Sequence, residues 1–159
     1  MIRKATPEDL EQILAVFAAA KAFMAKTGNA AQWEPGYPDS VIPGDIAAGN
    51  CYAEENNGTV HGVFVCISGD DPTYQTIENG QWLNDRPYAT IHRAGSDGTF
   101  PGFFGRCLAF CRALYPDLRA DTHADNHVMQ HLLEKNGFRP CGTIYAQDGR
   151  SRIAYQLET

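Results

Sequence analysis

A glycine-rich segment, residues 95–105, has a composition that suits a phosphate-bearing ligand. It contains four glycines and one proline and lies between a predicted strand and a predicted helix. Such a segment exposes several backbone N–H groups at the positive end of a helix, where they suit a pyrophosphate. Arg106 follows directly and is a candidate charge partner for a phosphate. The alternatives are a loop that uses glycine for its geometry alone and an arginine that is only solvated.

His92 is the residue beside this segment that best suits proton transfer. It lies in a predicted strand, residues 88–94, on the same face as Thr90 and Ala94. Imidazole changes its charge near neutral pH, so His92 is the candidate general base. The alternative is a packed strand histidine that only bonds to a neighbouring side chain.

Four large aromatic side chains stand in connecting segments rather than in predicted helices or strands. Two lie in a segment rich in proline and glycine after the first predicted helix, and two lie in the polar connection that precedes the strand of His92. Loops on a rigid scaffold often carry binding residues, so we predict that these rings line a substrate pocket. The alternative is that they plug the edge of the core. The four residues are Trp33, Tyr37, Tyr74 and Trp82.

Composition and charge limit the class of protein. The chain has 159 residues and a formal net charge of −6 at pH 7, and we expect residues 1–159 to form one domain. An acidic chain argues against a nucleic-acid partner, which usually requires a basic patch, but it does not exclude a cationic amine as the substrate. No apolar run approaches the roughly 20 residues of a membrane span, and the first residues lack an apolar signal core. We therefore expect no membrane partner and a cytoplasmic location.

The five cysteines are odd in number and irregularly spaced: Cys51, Cys66, Cys107, Cys111 and Cys141. Reduced thiols in a cytosolic protein are the simplest interpretation. Cys107 and Cys111 lie one helical turn apart, which fits either half of a metal site or two small buried side chains. The second interpretation is the commoner one, so we expect no metal.

Local signals predict an α/β fold. Pro7 suits the first turn of a helix, Asn57–Gly58 suits a hairpin turn, Asp125 or Asn126 caps a later helix, and Gly137 ends it. The predicted order is β-α-α-β-β-β-α-β-α-β-β, which indicates a mixed sheet with helices on both faces. The predicted strands are residues 1–4, 51–55, 59–67, 88–94, 117–121, 143–145 and 152–157, and residues 74–80 are a candidate short helix.

The stretch from Arg119 to Gly142 reads as a strand, a capped helix and a sharp glycine stop before another strand. This pattern resembles the C-terminal half of the GNAT acetyltransferases, and the opening segment, the hairpin and the glycine-rich loop extend the resemblance over nearly the whole chain. It implies a mixed, mostly antiparallel central sheet flanked by helices. It also implies transfer of acetyl from acetyl-CoA to an amine of a small molecule or peptide by direct attack. The matching residues are Asn126, Glu134, Lys135, Gly137 and Phe138.

The resemblance also implies roles for particular residues. The backbone at the end of the strand would bind the acetyl and pantetheine amides, the loop would bind the pyrophosphate, and the start of the following helix would contact pantetheine. The residues implied in cofactor binding are Ala94, Gly95, Ser96, Gly102, Phe103, Phe104, Gly105, Arg106, Asn126 and Met129.

Three family positions differ in this chain. Phe100 stands where the family has glutamine or arginine, and Phe103 stands where it has the first glycine of the phosphate loop. Leu133 stands where the family has the tyrosine that protonates the leaving thiolate, so the acid would be Tyr145, Tyr115 or water. These differences keep a second hypothesis open, a catalytically silent module of the same fold that binds CoA or another ligand. An exposed closing strand would allow a homodimer.

Overall fold

The computed structural model of the protein describes residues 1–30 and 32–159. Within these residues, seven β-strands and four α-helices follow one another in the predicted order, so that prediction is confirmed. The strands are β1 (Ile2–Lys4), β2 (Cys51–Asn56), β3 (Thr59–Ser68), β4 (Ala89–Ser96), β5 (Leu118–Thr122), β6 (Arg139–Tyr145) and β7 (Ser151–Leu157), and the helices are α1 (Leu10–Lys26), α2 (Ile42–Ala47), α3 (Phe103–Leu114) and α4 (His127–Lys135).

The strands form one sheet in the order β1-β2-β3-β4-β5-β7-β6. All neighbours are antiparallel except β4 and β5, which run parallel. These two strands pair only at Ala89 with Leu118 and at Thr90 with Arg119. Beyond Thr90 they diverge, and the sheet opens between their carboxyl ends.

A β-bulge lies in β4 at this opening. Val63 and Val65 of β3 face Gly95 and His92 of β4, so β4 carries one extra residue between them. Arg93 accommodates the insertion with a φ of 48°, a left-handed conformation that is uncommon for arginine. A bulge re-aims side chains and leaves backbone groups unpaired, and bulges are frequent beside functional sites.

Helices cover both faces of the sheet, as predicted. On one face, α1 buries Ile13 and Phe17 in a cluster with Val63 and Val65 of β3. On the other face, α3 and α4 bury Phe103, Phe104, Leu108 and Leu133 in a cluster with Phe64 and Ile91 of the sheet. Burying one such side chain fully contributes about 1.5–3 kcal/mol, so these two clusters hold the opening of the sheet in a rigid frame.

The turns that set the frame follow local chemistry. Asn57 and Gly58 both have positive φ, 52° and 79°, as the tight turn between β2 and β3 requires. The side chain of Asn126 caps α4 by accepting a hydrogen bond from the N–H of Met129 at 3.0 Å. Gly137, with a φ of 94°, ends that helix. In place of the candidate helix at residues 74–80, a single 3₁₀ turn forms at Pro72–Tyr74.

Candidate active site

A cavity of about 630 Å³ lies at the opening between β4 and β5. This volume is within the range of small-molecule sites in proteins. One side of the cavity is built by the connection from α1 to α2, through Trp33 and Tyr37. The opposite side is built by α3 and α4, through Phe104, Met129 and Leu133. The cavity therefore has two walls that belong to different parts of the chain.

His92 lines this cavity and is paired with an aspartate. Its Nε2 atom lies 2.8 Å from Oδ2 of Asp71, which also lines the cavity. The other carboxylate oxygen, Oδ1, accepts hydrogen bonds from the backbone N–H of Thr73 at 2.8 Å and from its hydroxyl at 2.6 Å. Burial alone would raise the pKa of Asp71, but the hydrogen bonds from His92 and Thr73 lower it to about 2. Asp71 is therefore a carboxylate at neutral pH.

The pairing defines which nitrogen of His92 holds a proton. A carboxylate only accepts hydrogen bonds, so Nε2 of the neutral ring carries the proton and donates it to Asp71. Nδ1 then keeps its lone pair and is able to accept a proton. When it does, Asp71 stabilises the imidazolium. The pair has the organisation of a general base with a positioning carboxylate.

Arg93 anchors the bulge to the cavity wall that the connection from α1 to α2 forms. Its Nε and Nη2 atoms donate to the two carboxylate oxygens of Asp45 at 2.8 and 2.9 Å. Its Nη1 atom donates to the hydroxyl of Tyr37 at 3.1 Å. Trp33 lies edge-on to Tyr37, with ring centroids 6.3 Å apart. The predicted wall residues Trp33 and Tyr37 therefore line the cavity and are tied to the bulged strand.

The other two predicted wall residues, Tyr74 and Trp82, are not among the residues that line this cavity. Tyr74 is only 2% exposed, and its hydroxyl donates to Asp121 at 2.7 Å. Trp82 donates its indole N–H to the backbone oxygen of Tyr74 at 3.0 Å and lies 4.1 Å from the guanidinium carbon of Arg119. The connection between β3 and β4 folds back on the β6–β7 hairpin, so these rings pack in a cluster with Ile144 and Ala154 of that hairpin.

Tyr145, the predicted acid, also lies outside the cavity. It is 44% exposed, and its hydroxyl donates to the carboxylate of Glu78 at 3.0 Å. The residue that follows the end of β6, Ala146, lines the cavity. Tyr115 is packed against the core cluster at the far end of α3. Neither tyrosine is placed to protonate a group in the cavity.

The residues implied in cofactor binding fall into two groups. Ala94, Phe104, Asn126 and Met129 line the cavity. The rest lie in β4 or around the start of α3: Gly95 and Ser96 pair with β3, Gly102 precedes α3 with a φ of 87°, and Phe103, Gly105 and Arg106 are in its first turn. Phe103 packs across Gly62, where an added Cβ would collide with the ring. The phenylalanine at the family's glycine position is therefore accommodated by a glycine in β3.

The start of α3 suits an anion. The first N–H groups of a helix have no partner within it, and Gly102 at the N-cap has no side chain that would accept from them. Arg106, in contrast, is already engaged. Its guanidinium bonds to both carboxylate oxygens of Glu54 at 2.7 and 2.9 Å and to the backbone oxygens of Phe100 and Pro101. Arg106 thus holds the loop in place and does not point freely toward a ligand.

Comparison with solved structures decides the family. The crystal structure of a GNAT-family acetyltransferase from Streptococcus agalactiae 2603 matches with a TM-score of 0.83 and 36% sequence identity, over 100% of this chain and 95% of that one. The chain belongs to the GNAT family of acetyltransferases. No protein-family model and no curated protein sequence matches the chain.

More distant GNAT structures share the fold. A GNAT-family acetyltransferase from Listeria monocytogenes 4b F2365 has a TM-score of 0.74 at 20% identity, over 100% of this chain and 94% of that one. An N-acetyltransferase from Staphylococcus aureus Mu50 has a TM-score of 0.60 at 24% identity, over 99% and 97%. These matches confirm the predicted GNAT sheet, and membership of the family supports acetyltransferase activity in general.

Three residues of this candidate site were not predicted from the sequence. Asp71, Asp45 and Arg93 carry the polar contacts of the site, yet the first two are 21 and 48 positions from their partners. The only local signal was the Asp-Pro-Thr turn at residues 71–73, which predicts a turn without saying what the carboxylate meets.

No group of histidine, cysteine or acidic residues in the described part of the chain is arranged to hold a metal ion. The five cysteines are buried free thiols. Among residues 1–30 and 32–159, no helix has the length and apolar character needed to cross a membrane.

Proposed function

We propose that this GNAT protein is an acetyl-CoA-dependent N-acetyltransferase that acts on an amine of a small molecule or peptide. One observation carries the proposal: the His92–Asp71 pair faces a cavity at the diverging strands of a GNAT sheet. A base at this place is what transfer to an amine requires, because the attacking nitrogen must lose a proton.

The cavity and the α3 start fit acetyl-CoA, the donor that GNAT enzymes generally use. The unpaired N–H groups of Phe103, Phe104 and Gly105 would hold the pyrophosphate. Asn126 and Met129 would hold the pantetheine arm, since both line the cavity from the α4 side. The buried hydroxyl of Thr90 lines the same cavity and has no hydrogen-bond partner in the described part of the chain. When bound, the thioester supplies an activated acetyl group.

His92 would accept the proton of the amine at Nδ1, and Asp71 would stabilise the imidazolium across the 2.8 Å hydrogen bond. The same imidazolium is then a proton source for the leaving sulfur. Leu133 lines the cavity at the position of the family's usual acid and has no proton to give. Because Tyr145 is bonded to Glu78 outside the cavity, we propose that His92 serves as both base and acid.

The charge of the cavity supports an amine acceptor. Among the described lining residues, carboxylates outnumber guanidinium groups by six to three. An excess of negative charge in a cleft concentrates cations and raises their rate of association. The carboxylates are those of Glu34, Asp45, Asp70, Asp71, Asp121 and Asp148, and the guanidinium groups are those of Arg93, Arg150 and Arg152.

A silent module that binds CoA or another ligand is the second candidate. Leu133 in the acid position and the engagement of Arg106 by Glu54 favour it. Isothermal titration with acetyl-CoA and thiol release with a panel of amines separate the two. Binding with thiol release supports the enzyme, and binding without release on any amine supports the module. Absence of binding contradicts both the enzyme and a module that binds CoA.

Partners and location remain predictions. β6 is an end strand of the sheet, but Glu78 already pairs with Thr143 on its outer edge through two backbone hydrogen bonds. We keep the homodimer as a proposal without assigning it to this edge, and light scattering on the purified protein would test it. A cytoplasmic location and the absence of nucleic-acid and membrane partners are expected from composition alone.

A further inference from the structure

Gln32 joins the two walls of the cavity through one side-chain oxygen. Its Oε1 atom accepts hydrogen bonds from Nδ2 of Asn29 at 3.0 Å, from the hydroxyl of Thr122 at 3.2 Å, from the N–H of His123 at 3.4 Å and from Nδ2 of Asn126 at 2.9 Å. An amide oxygen has two lone pairs, so four donors crowd a single acceptor. Three of these donors belong to the end of β5 and the turn into α4.

The backbone of the same residue holds a third segment. The carbonyl oxygen of Gln32 accepts hydrogen bonds from Nη2 of Arg150 at 3.3 Å and from Nη2 of Arg152 at 3.5 Å. Both arginines belong to the β6–β7 hairpin and line the cavity. Gln32 therefore fixes the connection from α1 to α2 against two other parts of the fold.

Gln32 immediately precedes the cavity wall that Trp33 and Tyr37 form, which we call the acceptor wall. Trp33 is the next residue, and its ring lies edge-on to Phe17 of α1 and to Tyr37, with centroid distances of 5.5 and 6.3 Å. Tyr37 in turn accepts the hydrogen bond from Arg93 on the bulge. A displacement of Gln32 would therefore move the aromatic wall relative to His92.

Asn126, on the α4 side of the cavity, is one of the donors to the side chain of Gln32. Asn126 is only 8% exposed, and its Oδ1 atom caps α4 through the N–H of Met129 at 3.0 Å. Its Nδ2 atom is the donor to Gln32. Asn126 and Met129 both line the cavity. One hydrogen bond, from Asn126 to Gln32, thus connects the helix cap on one wall with the loop that carries the other wall.

We propose that Gln32 is a positioning residue that couples the α4 side of the cavity to the acceptor wall. This inference rests on the proposed function, in which the pantetheine arm lies against Asn126 and Met129. A ligand there displaces or strengthens the Asn126–Gln32 bond and so moves Trp33. By linkage, donor and acceptor alter each other's affinity by the same factor, and coupling between two sites is typically about 5-fold or more.

Fluorine NMR of the full chain labelled with 5-fluorotryptophan tests the coupling without knowledge of the acceptor. The chain has two tryptophans, so two resonances are expected, and Trp33→Phe assigns them. CoA is the probe, and its binding is measured separately by isothermal titration. We expect CoA to shift the Trp33 resonance and to leave that of Trp82, which is outside the cavity, unchanged.

Two variants remove the link, and one preserves it. In Gln32→Ala and in Gln32→Met, which fills the space without an acceptor oxygen, CoA still binds but the Trp33 shift is lost. Gln32→Glu keeps the shift because a carboxylate accepts the same hydrogen bonds. Gln130→Ala is the matched control, since it removes two hydrogen bonds to the turn before α4 without touching Gln32.

The outcomes separate this inference from the proposed function. If CoA binds the unmodified protein but leaves Trp33 unshifted, or if the shift persists in both Gln32→Ala and Gln32→Met, the coupling is wrong and the enzyme hypothesis is unaffected. A shift of both tryptophans also contradicts it, because the change would then not be confined to the acceptor wall. Absence of CoA binding overturns the coupling and the proposed function together.

Discussion

Replacement of Asp71 by asparagine removes the negative charge beside His92 and changes few other contacts of the site. Oδ1 of Asp71 accepts two hydrogen bonds from Thr73, so in Asp71→Asn the amide oxygen keeps that side and the amide nitrogen faces His92. The nitrogen donates to Nε2, which must then give up its own proton. The proton moves to Nδ1, the atom that should accept the proton of the amine. The substitution keeps the shape of the site and places His92 in the wrong tautomer.

The magnitude follows from the lost charge. Two opposite unit charges about 4 Å apart attract by about 4 kcal/mol near a protein surface, and less where solvent reaches them. The side chains of His92 and Asp71 are 20% and 14% exposed, so we take about 2–4 kcal/mol. Since about 1.4 kcal/mol corresponds to a factor of ten, kcat should fall by about 30-fold to 1000-fold.

The assay is release of CoA from acetyl-CoA with the best amine of the panel, measured from about pH 6 to about pH 10, the range over which imidazole and amine groups change their charge. The loss in Asp71→Asn should be greatest near neutral pH and should shrink at high pH, where the free amine is already neutral. The affinity for acetyl-CoA should not change. Asp85→Asn is the control, because Asp85 is exposed, lies outside the cavity and makes no side-chain hydrogen bond with the described residues. A rate for Asp71→Asn within about threefold of the unmodified protein at every pH would refute the role of the pair.

Three further predictions concern the frame around the site. Arg106→Leu should lower the free energy of unfolding in urea by about 2–3 kcal/mol, because Glu54 is left charged and only 4% exposed; an unchanged midpoint would contradict this. The pKa of Asp9 is lowered to about 2, chiefly by the hydrogen bond from Arg3. The ionised Asp9 adds about 1–2 kcal/mol to the free energy of unfolding, after allowance for the partly exposed arginine. This stabilisation is complete above about pH 4 and is lost as the pH falls through about 2. The stability difference between Asp9→Asn and the unmodified protein should therefore disappear on acidification, and a constant difference would refute the assignment. Gly62→Ala should lower the thermal midpoint, with a cost of about 1–3 kcal/mol, because the new methyl group meets the ring of Phe103.

The helix from Asn126 to Gly137 was predictable because its signals are local. The cap, the apolar spacing and the glycine stop all act within one or two turns, and the structure reproduces each of them. The same holds for the turn at Asn57–Gly58. Short-range rules of this kind were enough to predict the order of the elements.

The polar contacts of the site were not predictable because they join distant segments. His92 meets Asp71 only after the connection between β3 and β4 has folded back, and Arg106 meets Glu54 across 52 positions. Tyr145 shows the same limit, since its hydroxyl meets the carboxylate of Glu78, which is 67 positions away. The aromatic rings show a similar limit, because composition does not say whether a loop ring faces a cavity or the core.

Transfer itself is the most direct test of the account. Purified protein and His92→Ala are mixed with acetyl-CoA and an excess of amine, and the acetylated amine and the free thiol are quantified together in a single turnover. We predict equal amounts of both products from the unmodified protein. In His92→Ala, we predict that the transfer rate falls by a factor of about 100 or more and that the affinity for acetyl-CoA is unchanged. Equal rates for the two proteins at every pH, or no acetylated amine from a protein that binds acetyl-CoA, would contradict the central claim.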